Sequence, residues 1–364
     1  MNKDSAPPQI ATVAAAQPAP PARLVWLDVA RGIGIILVVI GHALGGIIDS
    51  GLWSGQIEVR QAFFIIYTFH MPLFFMLSGA LVMRRVERNR SAFAKSLLSD
   101  LVWPYFLWST IQFLLIFAIG NLANSPNDSL WLTLAALPTT PISQFWFLYA
   151  LFILHLASII GLKWLGPNGF LLACLAVKPL AMLAAAPLVF RLAANQAPWY
   201  GIGVCLAASG LAALAVDRAA ITRAILLPVA AAAAILISLA ATPTFVPAAD
   251  IATVAAPALA GLAWNPVVFP AGLLGALAVI GIAGFELGRL GQWLAFLGRR
   301  SMPIFILHIM GIAGGRIIMT KFLGLSDLTL ILPVIIAMGL FMPLAAFAIA
   351  QRFGWNRWLG LGHA

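Results

Sequence analysis

The chain has 364 residues, 62% of them hydrophobic and only 9% charged, and its mean hydropathy is +1.01. Soluble chains average about 45–50% apolar and about 25% charged residues, so a water-soluble globular architecture is excluded. A net charge of +10 and a pI of 10.4 would point to nucleic acid in a soluble chain. Here the basic residues sit in short segments between apolar runs, where they set membrane orientation, and no nucleic-acid partner is expected.

Taken in chain order, residues 1–22 are rich in Ala, Pro and Gln and have almost no large apolar side chain, so they read as a disordered tail. The apolar run from Leu24 to Ile48 is too long for the core of a secretion signal and lacks a persuasive cleavage site. It reads as a first membrane helix. Further spans are expected near 62–83, 101–120, 144–161, 169–187, 198–216, 224–241, 267–287, 302–320 and 329–350, about ten in all. The 169–187 stretch is the least regular, being interrupted at Lys178 and Pro179.

With the N-terminus inside, the inner loops carry Arg84, Arg85, Arg88, Arg90, Lys95, Lys163, Arg218, Arg223, Arg289, Arg299, Arg300, Arg352 and Arg357. The outer loops carry only Arg60, Arg191 and Lys321, and the 242–266 connection has no basic residue. That asymmetry places both ends in the cytoplasm. The expected fold is all-α: a polytopic integral membrane helical bundle, with residues 23–351 as one transmembrane domain and 352–364 as a short cytoplasmic tail. Cys174 and Cys205 lie in apolar stretches and read as small hydrophobes, and no metal-ligand spacing occurs.

The informative residues are those a bilayer expels. Asp28, Arg31 and His42 lie in or beside the first span. Arg31 and His42 are eleven residues apart, which returns them to within about 20° of one helix face, about 16 Å apart along the axis. Gly34, Gly41 and Gly45 fall near the same stripe and leave room for close approach by another helix or a ligand. The second span runs back and places His70 at a depth comparable to His42. Two imidazoles on neighbouring helices imply a polar chamber, in which Arg31 grips an anionic ligand whose far end reaches His42.

Simpler roles stand beside these. Arg31 alone fits an interfacial anchor, and His70 alone a helix-bracing hydrogen bond. Asp28 fits a partner for Arg31, and His155 a packing histidine. The Arg84–Arg90 cluster is first an orientation signal, with phosphate binding as an addition. Ser78 and Gly79 fit close packing or a donor channel, and Trp146 an interfacial anchor or a chamber wall.

The first-span sequence LDVARGIGIILVVIGH resembles the first-helix signature of the membrane acyltransferase 3 family, in which an Arg is followed after ten residues by a His. FHMPLFFMLSG resembles the second-helix signature, especially in the fucose 4-O-acetylase-like branch. FWFLYALF at 145–152 resembles the mid-chain Trp-Phe-Leu motif, and LGRRSMPIFILH, ending at His308, the late Gly…Ser…Leu-His segment. The four matches lie in family order.

The resemblance implies transfer of an acyl group, often acetyl from cytosolic acetyl-CoA, to a hydroxyl of a sugar or glycan, in some cases lipid-linked. The setting would be a bacterial cytoplasmic (inner) membrane. Acetyl-CoA would be a substrate, with no tightly bound cofactor. Such transfer needs a base for the hydroxyl, donors for the developing oxyanion and a cationic grip on the CoA phosphates. His42 is the expected general base. Arg31, which stays charged, suits phosphate or carbonyl groups of the donor. Ser301 and His308, seven residues apart, share a helix face and suit support of the site, and Arg316 beyond them can meet the acceptor. A carrier or flippase for a glycan-lipid or anionic metabolite is the alternative, because intramembrane Arg and His also mark transport pathways.

Overall fold

A computed structural model of the protein describes residues 25–52, 57–120, 130–209, 228–239 and 268–362. The 1–22 tail, Arg218, Arg223 and the 242–266 connection lie outside the described residues. Among the described residues every regular element is helical. The helices are α1 (Val25–Asp49), α2 (Ile57–Leu97), α3 (Trp103–Ile119), α4 (Leu130–Ala136), α5 (Trp146–Leu183) and α6 (Leu188–Ala208). They continue with α7 (Pro228–Leu239), α8 (Val268–Ala283), α9 (Gly288–Arg299), α10 (Ser301–Ile317) and α11 (Leu328–Arg352). A π-helical turn at Leu98–Val102 joins α2 to α3, and a second at Ile318–Phe322 extends α10.

Five helical runs are long and apolar enough to cross a membrane, or six if α8 and α9, bent by 120°, count as one span. The molecule is a helical membrane protein. Two runs exceed one crossing: Glu58–Ile119 has 62 residues and Ser143–Leu183 has 41. At 1.5 Å per residue even the shorter covers about 60 Å, twice the ~30 Å hydrocarbon core. Each is broken. Asn89 leaves the helix for extended backbone (φ −162°, ψ 98°), and its Oδ1 accepts from the Ala92 N–H at 2.9 Å, capping the segment that follows.

In α5 the break falls at Gly166 (φ 63°, ψ −177°), immediately before Pro167. The sequence places the irregularity at Lys178 and Pro179, yet the helix continues through Pro179 to Leu183. A lone proline costs a helix one hydrogen bond, which packed surroundings can offset, whereas Gly166 adopts a backbone conformation reserved for glycine. α6 likewise starts at Leu188, ahead of the expected 198, and runs through Pro198.

The segment around Arg289 and Arg299, expected as an inner loop, is the amphipathic helix α9. It buries Leu294, Ala295, Leu297 and Gly298 and leaves Leu290, Trp293 and Phe296 outside. Its buried face lies on α1 at a crossing without side chains: Gly32 meets the Leu294 backbone, and Gly298 meets the Asp28 carbonyl. α2 and α6 cross in the same way, Gly79 against the Tyr200 carbonyl and Gly203 against that of Met76. Small residues let helix backbones approach where lipid supplies no hydrophobic drive.

α1 stands at the centre, packed against α2, α8, α9, α10 and α11. The approach that its glycine stripe permits is made by α2, whose Phe74, Tyr67 and Phe63 side chains lie on Gly34, Gly41 and Gly45 respectively. Beyond Arg352 the chain folds back onto α3. The indole N–H groups of Trp103 and Trp108 donate to the carbonyls of Trp358 and Leu359, both at 2.7 Å, and Leu361 is buried.

Candidate active site

Three imidazoles from three helices meet beside α1. His42 of α1 and His308 of α10 have ring centroids 4.9 Å apart. Tyr67 of α2 stands between His42 and His70: its hydroxyl is 3.3 Å from His42 Nδ1, and its ring is 4.8 Å from that of His70. His70 and His308 are buried, at 1% and 0% exposure, while His42 is half-buried.

The hydrogen bonds fix two tautomers. His70 Nδ1 lies 2.7 Å from the Ile66 carbonyl, and His308 Nδ1 lies 2.7 and 3.1 Å from the carbonyls of Phe305 and Ile304. A carbonyl only accepts, so both Nδ1 atoms carry the proton, and each neutral ring keeps its lone pair on Nε2. His308 Nε2 is buried with no hydrogen-bond partner among the described residues. A bare basic nitrogen in an apolar wall costs free energy unless a ligand uses it.

A cavity of about 500 Å³ leads towards this cluster. Arg31, Arg85, Arg299 and Arg357 line it, with Ser78, Ser99 and Ser301, and Asp100 is the one acid among its described lining residues. Its apolar part includes Val38, Met71, Phe74 and Phe305. Those residues lie within about one helical turn of His42, His70 and His308, which are themselves not among the described lining residues.

Of the residues the sequence singles out, His42, His70 and His308 come together, while Arg31, Ser78 and Ser301 line the cavity. Asp28 is buried, its backbone at the α1–α9 crossing. Trp146 stacks on Phe75 at 6.3 Å, and its neighbour Phe147 is the one that reaches the cavity. Arg316 sits on α10 about 12 Å beyond His308 along the axis. It is buried and electrostatically coupled to Asp49 at the end of α1, away from Arg31. His155 borders the cavity and is braced: its Nδ1 is 2.6 Å from the Tyr200 hydroxyl, which lies 3.2 Å from Ser158 Oγ.

Sequence reasoning missed Tyr67, although it lies three residues before His70 and so on the same face of α2. It also missed the paired amides of Gln112 and Gln144, joined by bonds of 2.8 and 3.3 Å. Gln144 donates further to the Ile306 carbonyl, two residues from His308. Arg299 and Arg357 read only as orientation signals in the sequence, and their place in one wall needed the fold.

These features define a helical membrane protein with a cationic cavity ending beneath a set of imidazoles. Residues 24–350 match the acyltransferase 3 family, described as "Acyltransferase domain", and the chain belongs to that family. Over 129 residues it is 36% identical to Nodulation protein NolL of Mesorhizobium japonicum, a match covering 35% of this chain and 32% of that protein. The chain thus spans about a third of the length of the curated relative it matches. No solved structure matches.

Proposed function

We propose that the protein moves an acetyl group from acetyl-CoA to a hydroxyl of a sugar or glycan, free or lipid-linked, as a member of the fucose 4-O-acetylase-like branch. In this reading about ten spans cross a bacterial cytoplasmic membrane, both ends lie inside, and the arginine-lined mouth faces the cytosol. The observation that carries it is the cavity with four arginines at one end and His42, His70 and His308 beyond the other. Guanidinium forks suit the phosphates of CoA, and the apolar lining of Val38, Met71, Phe74 and Phe305 suits its pantetheine arm.

In the reaction the acceptor oxygen attacks the thioester carbon, and its proton passes to His42 Nε2. The C–S bond breaks, the thiolate takes the proton from His42, and the products are an O-acetyl ester and free CoA. A donor bond from His42 Nδ1–H to the Tyr67 oxygen, 3.3 Å away, leaves Nε2 as the base. His308 Nε2 accepts from a neighbouring hydroxyl of the acceptor and so orients the one that reacts. His70 supports the cluster, while Arg31, Ser78 and Ser301 hold the donor. Asp28 positions Arg31, Trp146 backs the chamber wall through Phe75 and Phe147, and Arg316 meets the acceptor beyond His308.

The test incubates purified protein in detergent with radiolabelled acetyl-CoA and a panel of glycans and measures alkali-labile ester on the sugar. Wild-type protein forms ester. His42→Ala lowers the rate roughly 10²–10⁴-fold, the usual contribution of a positioned base, while retaining its thermal midpoint. Ester formation by His42→Ala at the wild-type rate removes His42 from the chemistry. Transport of the labelled compound without ester, in proteoliposomes, replaces the enzyme reading with a carrier.

A further inference from the structure

We infer that the segment after α11, residues 353–362, is the closing wall of the donor cavity and that its Arg357 binds a phosphate of the acyl-CoA. The inference rests on the donor reading above. Three observations carry it. Arg357, Gly360, Leu361 and Gly362 line the same cavity as Arg31 and Arg299.

The segment is also built into place rather than trailing. Two tryptophans of α3 donate to its carbonyls at 2.7 Å, Asn356 Nδ2 donates to the Gly362 carbonyl at 3.2 Å, and Leu361 is buried to 2%. Gly360 holds φ +62°, and a Cβ there would stand 2.6 Å from Pro104 Cγ, so only glycine fits the turn that presents Arg357. Finally, the wall is cationic: Arg31, Arg85, Arg299 and Arg357 line it, with Asp100 the one acid among the described lining residues, which suits the 3′-phosphate and pyrophosphate of CoA.

The experiment is steady-state kinetics of the full-length protein with two donors, acetyl-CoA and acetyl-pantetheine, the latter keeping the thioester and lacking every phosphate. Arg357→Gln raises KM for acetyl-CoA roughly tenfold, leaves kcat and the thermal midpoint in place, and changes KM for acetyl-pantetheine less than about twofold. Arg357→Lys recovers part of the loss. Gly360→Val, which displaces the turn, raises the same KM.

Suppose wild type prefers acetyl-CoA and Arg357→Gln matches it. Then the segment is packing only, and the inference fails while the donor reading stands. An equal defect with both donors also overturns it, since a lost phosphate contact cannot weaken a donor without phosphates. If wild type uses acetyl-pantetheine as well as acetyl-CoA, the donor reading itself fails and takes the inference with it.

Discussion

Gly298→Ala tests whether the α1–α9 crossing sets the geometry of the site. A Cβ at 298 overlaps the Asp28 carbonyl oxygen, and the nearest neighbours are backbone atoms of Asp28 and Gly32 that cannot swing away. Real Cβ contacts do not fall below 3.0 Å, so the two helices have to part by more than about 1 Å. α1 carries Arg31 and His42, while α9 leads through Arg299 directly into Ser301 and α10 with His308.

A shift of about 1 Å between reacting groups costs on the order of 10²-fold in rate, and overpacking costs about 1–3 kcal/mol of stability. Gly298→Ala is therefore expected to lose about 10²-fold in kcat/KM and several degrees in the detergent thermal midpoint. Gly314→Ala, with nothing among the described residues within 4 Å of its added methyl, is the control and keeps both. Gly298→Ala with wild-type kcat/KM and midpoint would refute the argument that this crossing positions the chemistry.

Other outcomes follow from single contacts. Tyr67→Phe removes the hydroxyl 3.3 Å from His42 Nδ1 and is expected to lower kcat roughly tenfold with KM for acyl-CoA unchanged, because Tyr67 is outside the cavity wall; steady-state kinetics check both. Gly166→Ala forces a side chain into a glycine-only conformation at a cost of about 1–3 kcal/mol, seen as a lower thermal midpoint with activity kept at low temperature. Asp327 caps α11, its Oδ1 accepting from the Thr329 N–H and hydroxyl at 2.9 and 2.7 Å, and these bonds hold its carboxyl below the usual range. A depressed pKa stabilises the fold above the ordinary carboxylate range and ceases to do so as pH falls through it. Asp327→Ala should thus lower the midpoint at neutral pH, with the gap to wild type closing under acid.

The polar core of the site was legible because a membrane span holds few polar residues, and each is conspicuous. Arg31, His42, His70 and His308 stand out in apolar runs, and helical periodicity puts Arg31 and His42 on one stripe. What the sequence hid has a common cause. α9 contains Gly288, Gly291 and Gly298, which lower helix propensity, so the segment reads as a basic loop. It becomes a helix because Gly298 and Gly32 allow the backbone contact with α1.

Gly166 looks like many other membrane glycines until its dihedral angles are known, whereas Pro179 looks like a break and is none. Residues 353–362 offer no apolar period, and the groups that hold them, Trp103 and Trp108, lie some 250 positions earlier. No local window contains both halves of such a contact.

That separation has a consequence for biosynthesis. The indoles of α3 and the carbonyls they bind are 255 and 251 residues apart, and ribosomes add about 5–20 residues per second. For roughly 10–50 s the nascent chain holds α3 in the bilayer with both indoles lacking their eventual acceptors. Headgroups at the membrane surface can satisfy them meanwhile. The arginine-lined cavity is completed only when Arg357 and its neighbours emerge, so partly translated chains carry the imidazoles beside an unfinished wall.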